Sequence, residues 1–236
     1  MRLNFADERV LAVVAHPDDA ELLCAGTLAR ARTDGALIGV AVLCLGDKGQ
    51  PPQPFPRLAA VRRGEMKAAA RLLGAELFWG RIRDGTLADD RPARLRLTEI
   101  YRRFRPSLVL AHAPEDYHPD HRAAAALAEA ASWFCAARGH KTKSPALSVS
   151  PALWWMDTLT MNGFEPGFYV DVSEFMTLKE AMLACHRSQT ERGADSDFSP
   201  VVELMRRQAT TRGAQAGVAA AEAFRAHHAF KRTRAW

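Results

Sequence analysis

Apolar runs alternate with helical patterns over residues 1–137, and this alternation limits the fold more than any other feature. Arg9–Ala15 and Ala36–Leu45 are continuous apolar runs, which are typical of strands buried on both faces. Shorter runs follow at Ala75–Trp79 and Ser107–His112. Strands separated by helices pair in parallel through right-handed crossovers. The sequence therefore predicts an α/β fold, a Rossmann-like three-layer sandwich with a mainly parallel sheet.

The pattern changes after residue 138, where strands and helices no longer alternate regularly. We expect one domain, with a Rossmann-like core at 1–137, a C-terminal lid region at 138–225 and a basic tail at 226–236. The helices predicted for the whole chain are Glu21–Thr33, Leu58–Leu73, Ala93–Phe104, Asp120–Ala137, Phe175–Ser188, Ser199–Arg212 and Val218–Ala226. Two further short strands are predicted at Ala152–Asp157 and Gly167–Val172.

Composition excludes several classes of protein. Hydrophobic residues make up 48% and charged residues 25% of the 236 residues, which argues against intrinsic disorder. No apolar run is long enough to span a bilayer, and residues 1–8 lack an apolar signal segment. Four widely spaced cysteines without a C-x-x-C pair indicate buried thiols rather than zinc ligands. We expect a cytoplasmic protein with no membrane partner.

The positive net charge of +5 is concentrated near the C-terminus. Residues 206–236 contain seven basic residues and one acid, so the remainder of the chain sums to −1. A basic terminal segment is more often a solvated end than a binding device. We therefore expect no nucleic-acid partner. The first strand is not followed by G-x-G-x-x-G, which argues against a dinucleotide cofactor.

Two similar tetrapeptides follow the first and fourth predicted strands, HPDD at 16–19 and HPDH at 118–121. Ligands of open parallel sheets bind at the carboxyl ends of the strands. If the two strands are neighbours, as they are in the Rossmann order, the tetrapeptides face each other. The segment Gly46-Asp47-Lys48-Gly49 follows the second strand, and we expect an active-site loop there rather than a phosphate loop.

The residue types in these tetrapeptides suit a divalent metal. Two histidines, one carboxylate and an open position are typical of catalytic zinc, and the predicted ligands of one ion per chain are His16, Asp19 and His121. Asp18 is the predicted general base, and a protonated His118 is expected to stabilise an oxyanion. The residues alone leave alternatives, because Asp18 or Asp19 also suits a helix N-cap and His118 a loop position.

The motifs carry a resemblance to a known family. The stretches AHPDDAELLCAGTLA, RRGEMKAAARLLGAE and EDYHPDHRAA resemble the LmbE-like (PIG-L) zinc-dependent N-deacetylases. The later stretches WWMDTLTMNGFEPGFYVDVS, CHRSQ and GAQAGVAAAEAFR resemble its bacillithiol-type branch, so the resemblance covers most of the chain. It implies the same ligands and base, Asp120 as the residue that orients His118, and Arg62 as a substrate contact. Arg62 is equally explained by an exposed helix charge or a pair with Glu65.

Two residues depart from that branch. Tyr117 stands where its members often have arginine, and His186 stands where some have tyrosine. We expect both to border the substrate, although His186 also suits a position on a helix surface. The branch commonly assembles, which leaves a homo-oligomer open, with Trp154 and Trp155 as candidate contacts.

The resemblance implies a hydrolase that removes the N-acetyl group from an N-acetylglucosamine-type amino sugar or its conjugate, so the expected partner is a small molecule. Two alternatives remain open. A metal-dependent phosphoesterase uses a similar set of histidines and aspartates, although it usually needs two metals and more ligands. A non-catalytic metal-containing binding protein of the same fold is the other alternative, and the intact Asp18 and His118 count against it.

Overall fold

The computed structural model describes residues 3–192 and 200–229. The strands are β1 (Arg9–Val14), β2 (Leu37–Cys44), β3 (Glu76–Ile82), β4 (Leu108–His112), β5 (Ala152–Met156), β6 (Phe168–Asp171) and β7 (Ala221–Ala226). The helices are α1 (Asp19–Leu23), α2 (Ala25–Thr33), α3 (Leu58–Leu73), α4 (Arg91–Phe104), α5 (Pro119–Phe134), α6 (Met176–Leu183), α7 (Arg187–Thr190) and α8 (Val201–Ala216), and a 3₁₀ turn at Ser173–Phe175 precedes α6.

The described strands form one sheet in the order β3-β2-β1-β4-β5-β7-β6. β1 pairs in parallel with both β2 and β4, and Val13 lies between Ala41 and Ala111 in the register. Alternate residues of β1 enter different hydrophobic clusters, Val10 one and Leu11 the other, because helices cover both faces of the sheet. The structure confirms the predicted α/β fold with a mainly parallel sheet.

The C-terminal third extends this sheet. β5 continues the parallel pairing from β4, and β7 then pairs antiparallel with both β5 and β6. The helix predicted at Val218–Ala226 is therefore wrong, because most of that segment is β7. Its alanines favour a helix, but pairing with two strands overrides this local preference.

Two predicted helices are interrupted. The segment Glu21–Thr33 divides into α1 and α2 at Cys24, whose φ of −147° is not helical. The segment Phe175–Ser188 divides into α6 and α7. The helix predicted to reach Ala137 ends at Phe134. The start of the helix predicted from Ser199 lies outside the described residues.

Glu222 of β7 ties the C-terminal third to α2. Its two carboxylate oxygens accept hydrogen bonds from the backbone N–H groups of Gly26 and Thr27, at 2.9 and 2.7 Å. A carboxylate is stabilised at a helix N-terminus, where N–H groups lack partners within the helix. Lys179 of α6 pairs with the same carboxylate, and both side chains are buried. The strand is thereby fixed against α2, the second helix after the HPDD segment.

The basic C-terminal residues are less solvated than the sequence suggests. Arg212 is buried and pairs with Asp157 at 2.6 Å, which corrects the expectation for this residue. Arg206 pairs with Glu180, and residues 231, 232 and 234 of the basic tail lie outside the described residues. The cysteines are free thiols, three of them buried. No helix among the described residues is long and apolar enough to cross a membrane.

Candidate active site

The two tetrapeptides meet at one edge of the sheet. HPDD follows β1 and HPDH begins α5 shortly after β4, and these strands are parallel neighbours. A cleft of about 440 Å³ opens between the tetrapeptides. Its lining residues are His16, Asp18, Asp19, Leu22, Lys48, Gly49, Arg62, Asp84, Gly85, Tyr117, His118, Asp120, His121, Leu159, Gln189 and Val201.

Asp18 has an unusual backbone conformation. Its φ is 104°, in a region that L residues rarely adopt, and its side chain makes no capping hydrogen bond to α1. The N-cap alternative for this carboxylate is therefore not supported. Strained backbone of this kind is concentrated at functional sites, where the surrounding structure maintains it. Here it accompanies a buried carboxylate that lines the cleft.

Three imidazoles approach the carboxylate of Asp19. The distances from its oxygens are 3.6 Å to His16 Nδ1, 3.4 Å to His121 Nε2 and 3.2 Å to His112 Nε2. His16 and His121 also share with His118 a group whose potential ligand atoms lie within 4.8 Å of one another. Asp19 thus lies close to both predicted histidine ligands, and it forms a second such group with His112 and His121.

The electrostatics of this cluster suit a cation. Burial opposes protonation of His16, but hydrogen bonds to Asp120 and Asp19 overcome it and raise its pKa to about 10. Burial also opposes protonation of His121, yet the charge of Asp19 and a hydrogen bond to Asp116 raise its pKa to about 9. The surrounding carboxylates therefore favour positive charge here. Two imidazole nitrogens and a carboxylate are ligands that zinc prefers, so these residues fit the metal.

Arg62 holds the carboxylate of Asp18. Its Nη2 lies 3.0 Å from Asp18 Oδ1 and also donates to the carbonyl of Pro17, and both charged side chains are buried. Burial raises the pKa of Asp18, and the guanidinium opposes this rise. Gly46 is needed beside it, because its φ is +72° and an added Cβ would lie 2.8 Å from Arg62 Cδ. The alternative in which Arg62 is an exposed charge on a helix is therefore wrong.

The Glu65 alternative for Arg62 is not supported either. The carboxylate of Glu65 accepts hydrogen bonds from the backbone N–H and hydroxyl of Ser188, at 2.8 and 2.6 Å. These bonds join α3 to α7.

His118 and Asp120 make contacts that differ from those expected. The Nδ1 atom of His118 accepts a hydrogen bond from the backbone N–H of Asp120 at 3.1 Å, so its proton is on Nε2. Burial and the nearby His121 and His16 lower the pKa of His118, which favours a neutral ring over the expected cation. The carboxylate of Asp120 contacts His16 Nε2 at 3.1 Å and accepts the N–H of Gly85. The side chain of Asp120 therefore supports His16, and Asp120 contacts His118 through its backbone N–H instead of the expected carboxylate.

The other two predicted substrate contacts lie in different places. Tyr117 lines the cleft and is 57% exposed, in keeping with a position beside a substrate. His186 is fully buried, lies 3.5 Å from Glu21 Oε1 and is not among the lining residues. The surface alternative for His186 is therefore wrong, and its buried ring is not among the side chains that a substrate in the cleft would meet.

Lys48 belongs to the loop expected at the site. Both oxygens of the Asp84 carboxylate hold this loop, accepting the backbone N–H of Gly46 at 2.7 Å and of Lys48 at 3.1 Å. Asp47 in turn accepts the N–H of Asp84 at 3.0 Å. The loop is thus fixed at the end of β2, and the exposed Lys48 lines the cleft.

Sequence reasoning missed three residues at this edge. Asp84 follows β3, His112 ends β4, and Asp116 lies two residues before HPDH. The position of each near the carboxyl end of a strand is a signal that could have found them. Burial raises the cost of ionising Asp116, but hydrogen bonding to His121 lowers its pKa below the usual range.

Known proteins are similar to this chain over most of its length. The 4-oxalmesaconate hydratase of Pseudomonas putida is 26% identical over 196 residues, 79% of this chain and 76% of the relative. The diacetylchitobiose deacetylase of Thermococcus kodakarensis is 27% identical over 195 residues, 77% of this chain and 70% of the relative. The relatives thus include enzymes with two different reactions.

A solved structure and a family model relate this chain to a known family. A conserved protein of Thermus thermophilus superposes with a TM-score of 0.80 at 33% identity, covering 97% of this chain and all of that one. Residues 11–132, about half of the chain, match the model described as "PIG-L: GlcNAc-PI de-N-acetylase", and both tetrapeptides lie in this range. This chain therefore belongs to the PIG-L family, as its motifs indicate.

Proposed function

We propose that this protein is a zinc-dependent hydrolase that removes the N-acetyl group from an N-acetylglucosamine-type amino sugar or its conjugate. One observation carries the proposal. The buried carboxylate of Asp18 lines the same cleft as the potential ligands His16, Asp19 and His121, but it pairs with Arg62 and is not one of the potential ligands. Family membership and the similarity to a diacetylchitobiose deacetylase support the substrate class.

His16, Asp19 and His121 would hold one zinc ion per chain. Bound zinc supplies Lewis acidity, which polarises a carbonyl group and makes water a better nucleophile. Asp120 supports the first of these imidazoles through His16 Nε2, at 3.1 Å. Such contacts fix the orientation of ligand rings.

Asp18 acts as the general base. Because burial raises its pKa, this carboxylate is a stronger base than a solvated aspartate. It accepts a proton from the water that attacks the amide carbon, and it returns this proton to the nitrogen as the carbon–nitrogen bond breaks. Acetate and the free amine are the products. Arg62 keeps the carboxylate in position throughout.

His118 stabilises the charge that develops on the carbonyl oxygen. A neutral ring with its proton on Nε2 is a hydrogen-bond donor, and the backbone N–H of Asp120 fixes this tautomer by occupying Nδ1. Donors placed where negative charge develops lower the barrier more than they stabilise the ground state. The role does not require an imidazolium.

The test compares Asp18→Ala and Asp18→Asn with the wild type for acetate release from N-acetylglucosamine conjugates, with and without a chelator. Both variants should keep stoichiometric zinc by elemental analysis and lose at least about 100-fold in turnover. Asp89→Asn, at an exposed carboxylate paired with Arg94, is the matched control and should be fully active. Full activity of Asp18→Ala would refute the assignment.

Hydration of a carbon–carbon double bond is a second candidate, because a hydratase matches 79% of the chain. Charge in the cleft argues against its carboxylate substrate. Four aspartates line the cleft against two fixed cations, Lys48 and Arg62, so a divalent metal brings these charges to zero. Arg62 is already paired with Asp18, which leaves Lys48 for an anion. An uncharged acetamido sugar suits this balance better.

One pair of assays separates the two reactions. Acetate release from a neutral N-acetylglucosamine glycoside supports the deacetylase. Water addition to 4-oxalmesaconate is monitored through the loss of its ultraviolet absorbance. Such a loss, with no acetate released from any sugar, would assign the hydratase instead.

A further inference from the structure

A buried carboxylate outside the tetrapeptides contacts both histidines of HPDH. Asp116 lies in the loop between β4 and α5, and its residue surface is 1% exposed. It does not line the cleft, so it has no direct access to a substrate. Any contribution to the chemistry must therefore pass through the groups that it contacts.

A single oxygen of Asp116 makes two of these contacts. Oδ1 accepts a hydrogen bond from the backbone N–H of His118 at 2.9 Å and lies 3.1 Å from His121 Nδ1. The first contact fixes the backbone at the start of α5, and the second fixes the rotation of the His121 ring. The same oxygen atom of Asp116 thus contacts both His118, the proposed oxyanion donor, and His121, one of the proposed metal ligands.

The contact with His121 determines which nitrogen faces the cleft cluster. A carboxylate oxygen accepts hydrogen bonds, so Nδ1 of His121 carries a proton in this pair. Its Nε2 then lies on the opposite side of the ring, 3.4 Å from Asp19 Oδ1. A metal ligand needs a nitrogen without a proton, and in the neutral ring a proton on Nδ1 leaves Nε2 as that nitrogen, beside the carboxylate ligand.

The surroundings hold Asp116 firmly. Its backbone N–H donates to the carbonyl of Ala113 at 3.1 Å, and its own carbonyl accepts from Arg122 Nη1 at 2.8 Å. His112, fully buried, stacks on the ring of His121 with centroids 3.9 Å apart and planes inclined by 17°. The ring of His121 is therefore confined by stacking on one side and by the carboxylate at its edge.

We infer that Asp116 is a positioning residue that sets the tautomer and orientation of His121 for metal binding and fixes His118 relative to it. The inference rests on the proposed role of His121 as a metal ligand. It does not depend on which substrate or reaction the metal serves, because its consequence is an affinity for Zn²⁺ itself.

The test measures Zn²⁺ affinity of the full chain by competition with a chromophoric chelator, without substrate. Asp116→Ala removes both contacts, and we expect about 10- to 100-fold weaker Zn²⁺ binding. Asp116→Asn keeps the shape but loses the charge, and we expect about tenfold weaker binding. Asp157→Asn is the matched control: it removes a buried carboxylate that pairs with Arg212, and it should lower the unfolding temperature without weakening Zn²⁺ binding.

The outcomes are decisive for both proposals separately. Wild-type Zn²⁺ affinity in folded Asp116→Ala overturns the inference even if acetate release is detected. If Asp116→Ala does not fold, Asp116→Asn decides in the same way, and unchanged affinity overturns the inference. Weakened Zn²⁺ binding in an enzyme that releases no acetate from any sugar supports the positioning role and refutes the proposed function.

Discussion

Replacing Arg62 with glutamine removes the cation that holds the proposed base. The guanidinium Nη2 lies 3.0 Å from Asp18 Oδ1, and the two side chains are 5% and 9% exposed. Removing one partner of such a buried pair costs about 3–5 kcal/mol, because the remaining charge is left without a partner. Because about 1.4 kcal/mol is a factor of ten in an equilibrium constant, about 3 kcal/mol makes ionisation of the Asp18 carboxylate about 100-fold less favourable and raises its pKa.

The direction of the pH effect follows from the role of Asp18. A general base works only in its ionised form, so activity falls as the pH drops below the pKa of Asp18. Burial raises this pKa and Arg62 opposes the rise, so losing Arg62 moves the acidic limb to higher pH. At a pH below both limbs, the variant should be up to about 100-fold slower, and activity should recover as the pH increases.

The assay is the pH dependence of kcat/KM for acetate release, between about pH 5 and pH 9, at matched zinc content. Arg62→Lys keeps a positive charge and should shift the acidic limb less than Arg62→Gln. Arg63→Gln is the control, because Arg63 is exposed on the same helix and stacks over Trp79. An acidic limb that stays in place in Arg62→Gln, or moves to lower pH, would contradict the reasoning.

Three further changes test the fold and the metal site. Glu222→Gln leaves Lys179 buried without its carboxylate partner, and urea unfolding should show a loss of about 3–5 kcal/mol; a loss below about 1 kcal/mol would remove the argument for this pair. His121→Ala should lose zinc by elemental analysis while its circular dichroism remains native, and stoichiometric zinc would reject the ligand. Arg206→Ala breaks an exposed pair with Glu180 and should change the free energy of unfolding by less than about 1 kcal/mol, measured in the same way.

The core of the fold was predictable because a strand that is buried on both faces has an almost continuously apolar sequence. β1, β2 and β4 are apolar at nearly every position, and their residues are almost all buried. β7 does not have such an apolar sequence: AEAFRA contains three alanines and two charged residues, which suit a helix equally well. Its strand conformation depends on pairing with β5 and β6, which lie far away in the sequence.

The position of the site was predictable, but the partners of its side chains were not. Parallel neighbours bring HPDD and HPDH to one edge regardless of detail, so the sequence places both tetrapeptides correctly. Which histidine the Asp120 carboxylate reaches depends on the direction in which its side chain leaves the first turn of α5. That direction takes it to His16 at 3.1 Å, while its backbone N–H reaches His118. The spacing of residues in the sequence does not predict the direction of the Asp120 side chain.

The residues that reasoning missed share a cause. His112 was assigned only as the end of an apolar run, and Asp116 only as part of the loop before HPDH. Yet a polar side chain at the last position of a buried strand finds polar surroundings at the edge of the sheet where ligands bind. His112 follows this rule and lies 3.2 Å from Asp19, and Asp116 reaches the same cluster from four residues later. Treating every polar strand end as a candidate, rather than only those within a motif, would have identified His112, whereas Asp116 lies in the loop beyond the strand.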